Sequence, residues 1–239
     1  MHFDSISIVV PFYNEAFILG KTIEELVRFK ASSSLPITFI LSDDGSTDAS
    51  SIIAQKAALA YPETFRYVSA PKNTGKGNAL QIGFAIAEGE LLGFLDSDLE
   101  ISTDDLGKGI RRMNEGNDQV LIGTKTMVVS NSIRAYHRGM ASIFYNALVG
   151  FTLNSHLPDH QCGLKLFRRE VWERVGSRMT SHGWAWDTEF LLRAQKAGFP
   201  VTPFEVTLHR QRKSTVRFWS TCFSMFGAVL RFMKEGLSL

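Results

Sequence analysis

The chain has 239 residues, of which 44% are hydrophobic and 21% charged, with a formal net charge of +2. This suits one large globular domain, or a domain with a tail, and is too near neutral for a nucleic-acid partner held by bulk charge. The two cysteines, Cys162 and Cys222, are too far apart for a disulfide framework or a metal-binding spacing and suit a reducing compartment.

No signal peptide is expected, because Ile6–Val10 already reads as a strand entering a turn. Leu19, Ile23, Leu26 and Val27 then share one face of a helix. Ile37–Leu41 is the next strand, and Ser46 and Thr47 are placed to cap a helix that opens at Asp48. Phe65–Val68 reads as a weak strand and Gly75–Glu88 as a helix with Ala79, Ile82 and Ile86 at helical spacing. Leu91–Leu95 is the most apolar strand. Strands alternating with helices imply parallel pairing, a sheet covered on both faces, and ligands beyond the carboxyl ends of the strands. Further on, Gln119–Ile122 reads as a strand. Asn131–Leu148 reads as a long helix with Arg134 and Arg138 four apart on one face. Cys162–Phe167 is strand-like, Trp184–Ala197 is a helix with Asp187 and Glu189 in its early turn, and Val201–Leu208 is a last strand.

The strand ends carry the chemistry: "VPFYNE", "LSDDGSTD", "APKNTGKGNA" and "DSDLE". Residues two apart in an extended segment point the same way, so Asp96 and Asp98 are both expected to face the crevice. Paired carboxylates suit Mg or Mn, whose remaining ligands come from substrate phosphates. The competing reading is a surface turn with two solvated acids. Asp43 and Asp44 either accept from a base N–H or ribose hydroxyl, or form a solvated capping turn. Gly75 and Gly77 let a backbone approach a ligand and Lys76 is placed to meet a phosphate, unless this is an ordinary loop. His156 and His160 are four apart, but Pro158 between them argues against a helical zinc pair. Trp184 and Trp186 either stack on a sugar or pack in the core.

Taken in order, "VVPFYNEA", "LSDDGSTD", "NTGKGNA", "DSDLE", "DHQCGLKLF" and "WAWDTEFLLRA" resemble the motifs of family 2 glycosyltransferases with the GT-A fold, and more narrowly the dolichyl- or polyprenyl-phosphate sugar synthases. The resemblance spans about Ile6 to Leu208. It implies a Rossmann-like α/β fold with a mixed, mostly parallel sheet flanked by helices. It implies inverting transfer of a hexose from a nucleotide sugar (UDP-glucose or GDP-mannose) to a polyprenyl or dolichyl phosphate, with Mg or Mn. By similarity Pro11, Tyr13, Glu15 and Asp43 match the base and ribose pocket. Asp96 and Asp98 match the metal motif, with Asp98 favoured as direct ligand and Asp96 also against the ribose. Lys125 stands where the family usually has arginine, and Arg134 and Arg138 match positions that meet the acceptor phosphate. Asp187 lies where many relatives place a catalytic acid, although an acceptor phosphate is already ionised and has less need of a base. Arg212 and Lys213 keep the basic character of a later element whose Gly and Trp are missing here.

Residues 1–212 are therefore read as the catalytic domain and 213–239 as a basic loop followed by an amphipathic helix. On that helix Trp219, Cys222, Phe223, Phe226, Val229, Leu230 and Met233 share a face opposite Ser220, Ser224, Arg231 and Lys234. Its uncharged run is too short to span a bilayer, so it either lies on a membrane surface or docks on the protein or a partner chain. A protein attached peripherally to the cytoplasmic face of a membrane is expected, with the oligomeric state open. Two alternatives remain: a family 2 enzyme with a saccharide acceptor, and a nucleotide-sugar-binding protein without catalysis.

Overall fold

In the computed structural model, residues 3–125, 145–207 and 218–239 are described, apart from the side chains of residues 125 and 218–223. The first half runs β1 (Ile6–Phe12), α1 (Ala16–Ser32), β2 (Ile37–Asp43), α2 (Ser50–Ala60), β3 (Phe65–Ser69), α3 (Lys76–Ala85), β4 (Leu91–Leu95), α4 (Thr103–Glu115) and β5 (Val120–Lys125). The second half continues through α5, helical over residues 145–153, then β6 (Leu164–Arg168), α6 (Arg169–Val175), α7 (Trp186–Lys196), β7 (Val201–Val206) and α8 (Phe218–Lys234).

Every residue of β1 and of β4 is buried, as strands covered on both faces must be. Ile6, Ile8, Val10 and Phe12 enter one core with α1, α2 and α4, whereas Val9 enters the other with α3, α6 and α7. The strands form one sheet in the order β3-β2-β1-β4-β6-β5-β7. The pairs β1–β2, β2–β3, β1–β4 and β5–β7 are parallel, and β6 is antiparallel to both neighbours. After β1 the chain builds outward through β2 and β3, then crosses back to place β4 on the other side. The crevice between the carboxyl ends of β1 and β4 is thus the switch point at which such sheets bind ligands.

Two helices were not expected. In α4, Ser102 Oγ accepts from the Asp105 N–H at 3.1 Å, and Leu106, Ile110 and Met113 are buried against the sheet. Gly107 and Gly109 break up this stripe in the sequence. The short α6 follows β6 without a gap, so its Val171 and Val175 read as a continuation of the strand. The helix expected from Asp48 starts later, because Ser46 and Thr47 bond to Asn14 instead of capping it. Most of the helix expected over Asn131–Leu148 lies outside the described residues.

The C-terminal helix divides its apolar residues differently from the expected face. Ala228, Val229 and Phe232 are buried with Tyr145, Val149, Leu153 and Leu192, which attaches α8 to α5 and α7. Phe226, Leu230 and Met233 remain exposed. Arg231, expected on the outer polar face, turns inward and its Nη2 donates to Ser181 Oγ at 2.6 Å. Among the described residues no helix is long and apolar enough to cross a membrane.

Candidate active site

The two acids after β4 are brought together by a turn, not by the strand alternation expected of them. The Asp96 N–H donates to Gly163 O at 3.0 Å, carrying the β4–β6 ladder one residue past the strand. The chain then folds back, with the Leu99 N–H on Asp96 O at 3.2 Å and Leu99 at φ 49°. Thr22 Oγ1 on α1 donates to Ser97 O at 2.6 Å and pins the turn from beneath. Asp96 and Asp98 line a small cavity with Leu95, Glu100, Ile101 and Gly163. Gly163 is required there, since a Cβ would stand 2.5 Å from Asp96 Oδ2. Burial, then the neighbouring Asp96 charge, pushes the Asp98 carboxyl up to about 6.

Lys76, the first residue of α3, reaches this turn. Its Nζ is 2.8 Å from Asp96 Oδ1 and 3.5 Å from Asp187 Oδ2, and it lies over the Phe94 and Trp184 rings. Burial opposes its charge, but Asp187 and Asp96 outweigh burial and hold the ammonium above the usual lysine range. Asp187 is fully buried, and its Oδ1 accepts from Lys165 Nζ at 2.7 Å. Lys165 is equally buried and also donates to Cys162 O at 3.0 Å. Sequence reasoning quoted "CGLKLF" as a strand and passed over Gly163 and Lys165. The signal was a lysine in the middle of an otherwise apolar strand, which must find a buried counter-ion.

The acids after β2 are arranged differently. Asp43 Oδ1 accepts from the Ser46 N–H at 2.8 Å, and its Oδ2 accepts from Ser51 Oγ and, at 3.1 Å, Tyr67 Oη. Asp44 turns away from the crevice and into the loop before α3. Its oxygens accept from the Thr74 and Gly75 N–H groups and, at 3.0 Å, from Asn78 Nδ2. These donors give a buried carboxylate a structural role in holding the loop before α3. Gly75, at φ 121°, lets that loop pass His182 O, which a Cβ would approach to 2.7 Å. Pro11 is buried at the end of β1, Tyr13 is exposed beyond it, and the Glu15 N–H donates to Ser50 Oγ at 2.8 Å. Asn14, which sequence reasoning missed, joins the two loops. Its N–H donates to Ser46 Oγ at 2.9 Å and its Oδ1 accepts from the Thr47 N–H at 2.8 Å. Its backbone is left-handed, φ 52°, and the signal in the sequence was an asparagine directly after a strand, the residue that tolerates that region best after glycine.

The far wall is fixed by α7. Glu189 Oε1 accepts from Thr180 and from Arg193 Nε at 2.7 Å, while Oε2 accepts from the Ser181 N–H at 2.7 Å. Burial opposes ionisation of Glu189, but these donors hold its carboxyl below the usual range. Trp186 cannot stack on a sugar, since it is fully buried and stacks on Phe190 with ring centres 5.3 Å apart. Trp184 is exposed beside Lys76. His160 bonds to Asn146 Oδ1 at 2.8 Å through Nδ1 and to Ser155 Oγ at 2.9 Å through Nε2. Burial and then Lys165 push His160 down to about 4, so it is a neutral core histidine and not half of a zinc pair.

Arg134, Arg138, Arg212 and Lys213 lie outside the described residues, as does the side chain of Lys125. Among the described residues no group of three or more His, Cys, Asp or Glu side chains is arranged to hold a metal. The β4 turn nevertheless fits Mg or Mn. It offers hard carboxylate oxygens, and Asp98 is hindered from ionising by burial and a like charge, which a divalent cation relieves.

A doubly wound α/β sheet with an antiparallel strand beyond its switch point, and paired acids and a lysine at that point, is the architecture of the glycosyltransferase A type. The family model described as glycosyl transferase family 2 matches residues 7–176, and the chain belongs to that family. It is 34% identical to "Glycosyltransferase AglD" of Haloferax volcanii over 95% of this chain, but spans only 36% of that relative's length. It is 31% identical to the human "Dolichyl-phosphate beta-glucosyltransferase" over 90% of this chain and 71% of that protein. Among solved structures, the glucosyl-3-phosphoglycerate synthase of Mycobacterium tuberculosis, determined with Mn2+, UDP and glucosyl-3-phosphoglycerate, superposes with a TM-score of 0.74. At 18% identity, over 95% of this chain and 78% of that one, this likeness shows the fold, which is GT-A.

Proposed function

We propose that the protein transfers glucose from UDP-glucose to a polyprenyl or dolichyl phosphate at a membrane surface, with inversion at the anomeric carbon. The observation that carries this reading is the β4 turn, where Asp96 and Asp98 face one cavity and Lys76 meets Asp96 at 2.8 Å. The names of the relatives support a phosphorylated isoprenoid acceptor, and the Mn2+ and UDP of the structural neighbour support the donor class.

In this reading, the ends of β1 and β2, with Pro11, Tyr13, Glu15 and Asp43, take the base and ribose. Lys76 places positive charge beside the donor diphosphate. It stands at the N-terminus of α3, where a cation is unfavourable for the helix itself but adds to a field that favours phosphate. Asp98 and Asp96 would hold Mg or Mn, whose chemistry when bound is to neutralise charge on the departing diphosphate. An acceptor phosphate oxygen attacks the anomeric carbon from the opposite side, the C–O bond to the diphosphate breaks, and UDP leaves. No residue needs to take a proton, because the acceptor is already an anion. Lys125, Arg134, Arg138, Arg212 and Lys213 are assigned to the acceptor phosphate, where arginine forks offset repulsion between two anions. The exposed Phe226, Leu230 and Met233 of α8 suit contact with the lipid surface that holds the acceptor.

The test is to incubate the protein with UDP-[14C]glucose, Mn2+ and dolichyl phosphate, then extract with organic solvent. Label in the organic phase that is released by mild acid is the expected result. Label confined to water, whether in free glucose or in a saccharide, would refute lipid transfer.

A further inference from the structure

Among the described residues, two buried charges behind the β4 turn touch Lys76 and no other group assigned to substrate. We propose that Lys165 and Asp187 are a positioning pair for the donor diphosphate, acting through Lys76, with Asp187 serving as an anchor and not as a catalytic base. The inference rests on the donor reading above.

Four charges alternate in one chain: Asp96, Lys76, Asp187 and Lys165, with contacts of 2.8, 3.5 and 2.7 Å. The side chains of Asp187 and Lys165 are 0% exposed and that of Lys76 is 9% exposed, whereas that of Asp96 is 34% exposed. The chain therefore leads from the core to the crevice. Buried ion pairs are a poor route to stability, since apolar side chains of similar volume do as well or better. Lys165 also sits on an interior strand, in register with Phe94 and Ile122, where an aliphatic residue would pack without cost.

The division of contacts at Asp187 shows what the pair does. Lys165 takes Oδ1 in a short hydrogen bond, while among the described residues Oδ2 is buried with no hydrogen-bond partner and meets Lys76 at 3.5 Å. Asp187 thus attracts Lys76 without capturing it. The short contact of Lys76 goes to Asp96 instead, at the mouth of the site. Both ammonium groups also lie over the Phe94 ring, at 4.7 and 5.1 Å, which fixes the height of each. If Lys165 lost its charge, Lys76 would be the counter-ion left to Asp187 among the described residues and would be drawn inward, away from an incoming diphosphate. A catalytic base needs reach to the acceptor, and a fully buried carboxylate held by two lysines has none.

The experiment is a double-mutant cycle read by UDP binding with Mn2+ in excess, using uridine as the ligand without phosphates. Lys165→Met and Lys76→Met should each weaken UDP binding about tenfold, and the double variant should bind no more weakly than Lys76→Met alone. Uridine affinity should be unchanged in all three. A double variant that loses about a hundredfold shows independent effects and overturns the proposal. So does a Lys165→Met protein that binds UDP like the wild type, or one that loses uridine in step with UDP. If Lys165→Met does not fold, Lys165→Gln, which removes the charge but keeps a donor, takes its place in the same cycle, with the same outcomes. A wild-type protein that binds no UDP contradicts the donor reading itself, a result distinct from an intact wild type with indifferent variants.

Discussion

The acidic ends of β2 and β4 look alike in the sequence and are opposite in kind. After β2, Asp43 and Asp44 are buried and saturated by neutral donors from Ser46, Ser51, Tyr67, Thr74, Gly75 and Asn78. After β4, Asp96 bonds to a lysine and Asp98 crowds against Asp96, which with burial pushes its carboxyl up to about 6. Asp44, surrounded by backbone N–H groups and an amide, organises a loop, whereas Asp43 accepts from two hydroxyls that a ribose hydroxyl can replace. A carboxylate balanced by a lysine, or held back from ionising, can exchange that arrangement for a ligand. The difference lies in who supplies the hydrogen bonds, and the chain supplies nearly all of them at β2.

The sharpest way to break this contrast is Asp98→Ala. Transfer should fall on the order of 1000-fold, because charge on the departing diphosphate loses its partner, while the melting temperature stays near that of the wild type. Retained activity in saturating Mn2+ would remove the metal role. Asp44→Ala should do the reverse, lowering stability by about 3 kcal/mol because Thr74, Gly75 and Asn78 lose a common acceptor. Denaturant melts measure this, and loss of turnover at unchanged stability would place Asp44 back among the ligand contacts.

A third prediction concerns the wall behind the β4 acids. His160 is pushed down from 6.5 to about 4, so the unfolded chain takes up a proton that the folded chain refuses between these values. Stability from this group is complete above 6.5 and is lost as pH falls toward about 4. Lowering the pH from 7 to 5 should cost about 2 kcal/mol that His160→Gln does not lose. Parallel pH profiles for the two proteins would contradict it. The smallest effect belongs to the exposed hub at β1. Asn14→Gly keeps the left-handed backbone but drops the side-chain bonds to the β2 loop, for about 1 kcal/mol.

Much of the first half was legible because its strands are short, apolar and separated by clear helical periods, and β4 was read with its observed bounds, Leu91–Leu95. The acids of the β4 turn were also legible, although the geometry inferred for them was not. Extended alternation was expected, and the chain turns after Asp96 instead. The helices α4 and α6 were hidden by glycines and by direct fusion to a strand, since periodicity needs an uninterrupted run to show. The inward-facing stripe of α8 was misassigned for a different reason. Phe226, Leu230 and Met233 are as apolar as Val229 and Phe232, and only the neighbours Val149, Leu153 and Leu192 select which of them is buried.

The sequence alone determined the class of fold, the polar strand ends and the residue types gathered there, because local period and strand-end chemistry are written in adjacent residues. Tertiary structure decided which acid met which donor. Lys76, Asp96, Lys165 and Asp187 come from four separate elements, and charges so far apart along the chain become one network only when the sheet and its helices bring them within about 3 Å.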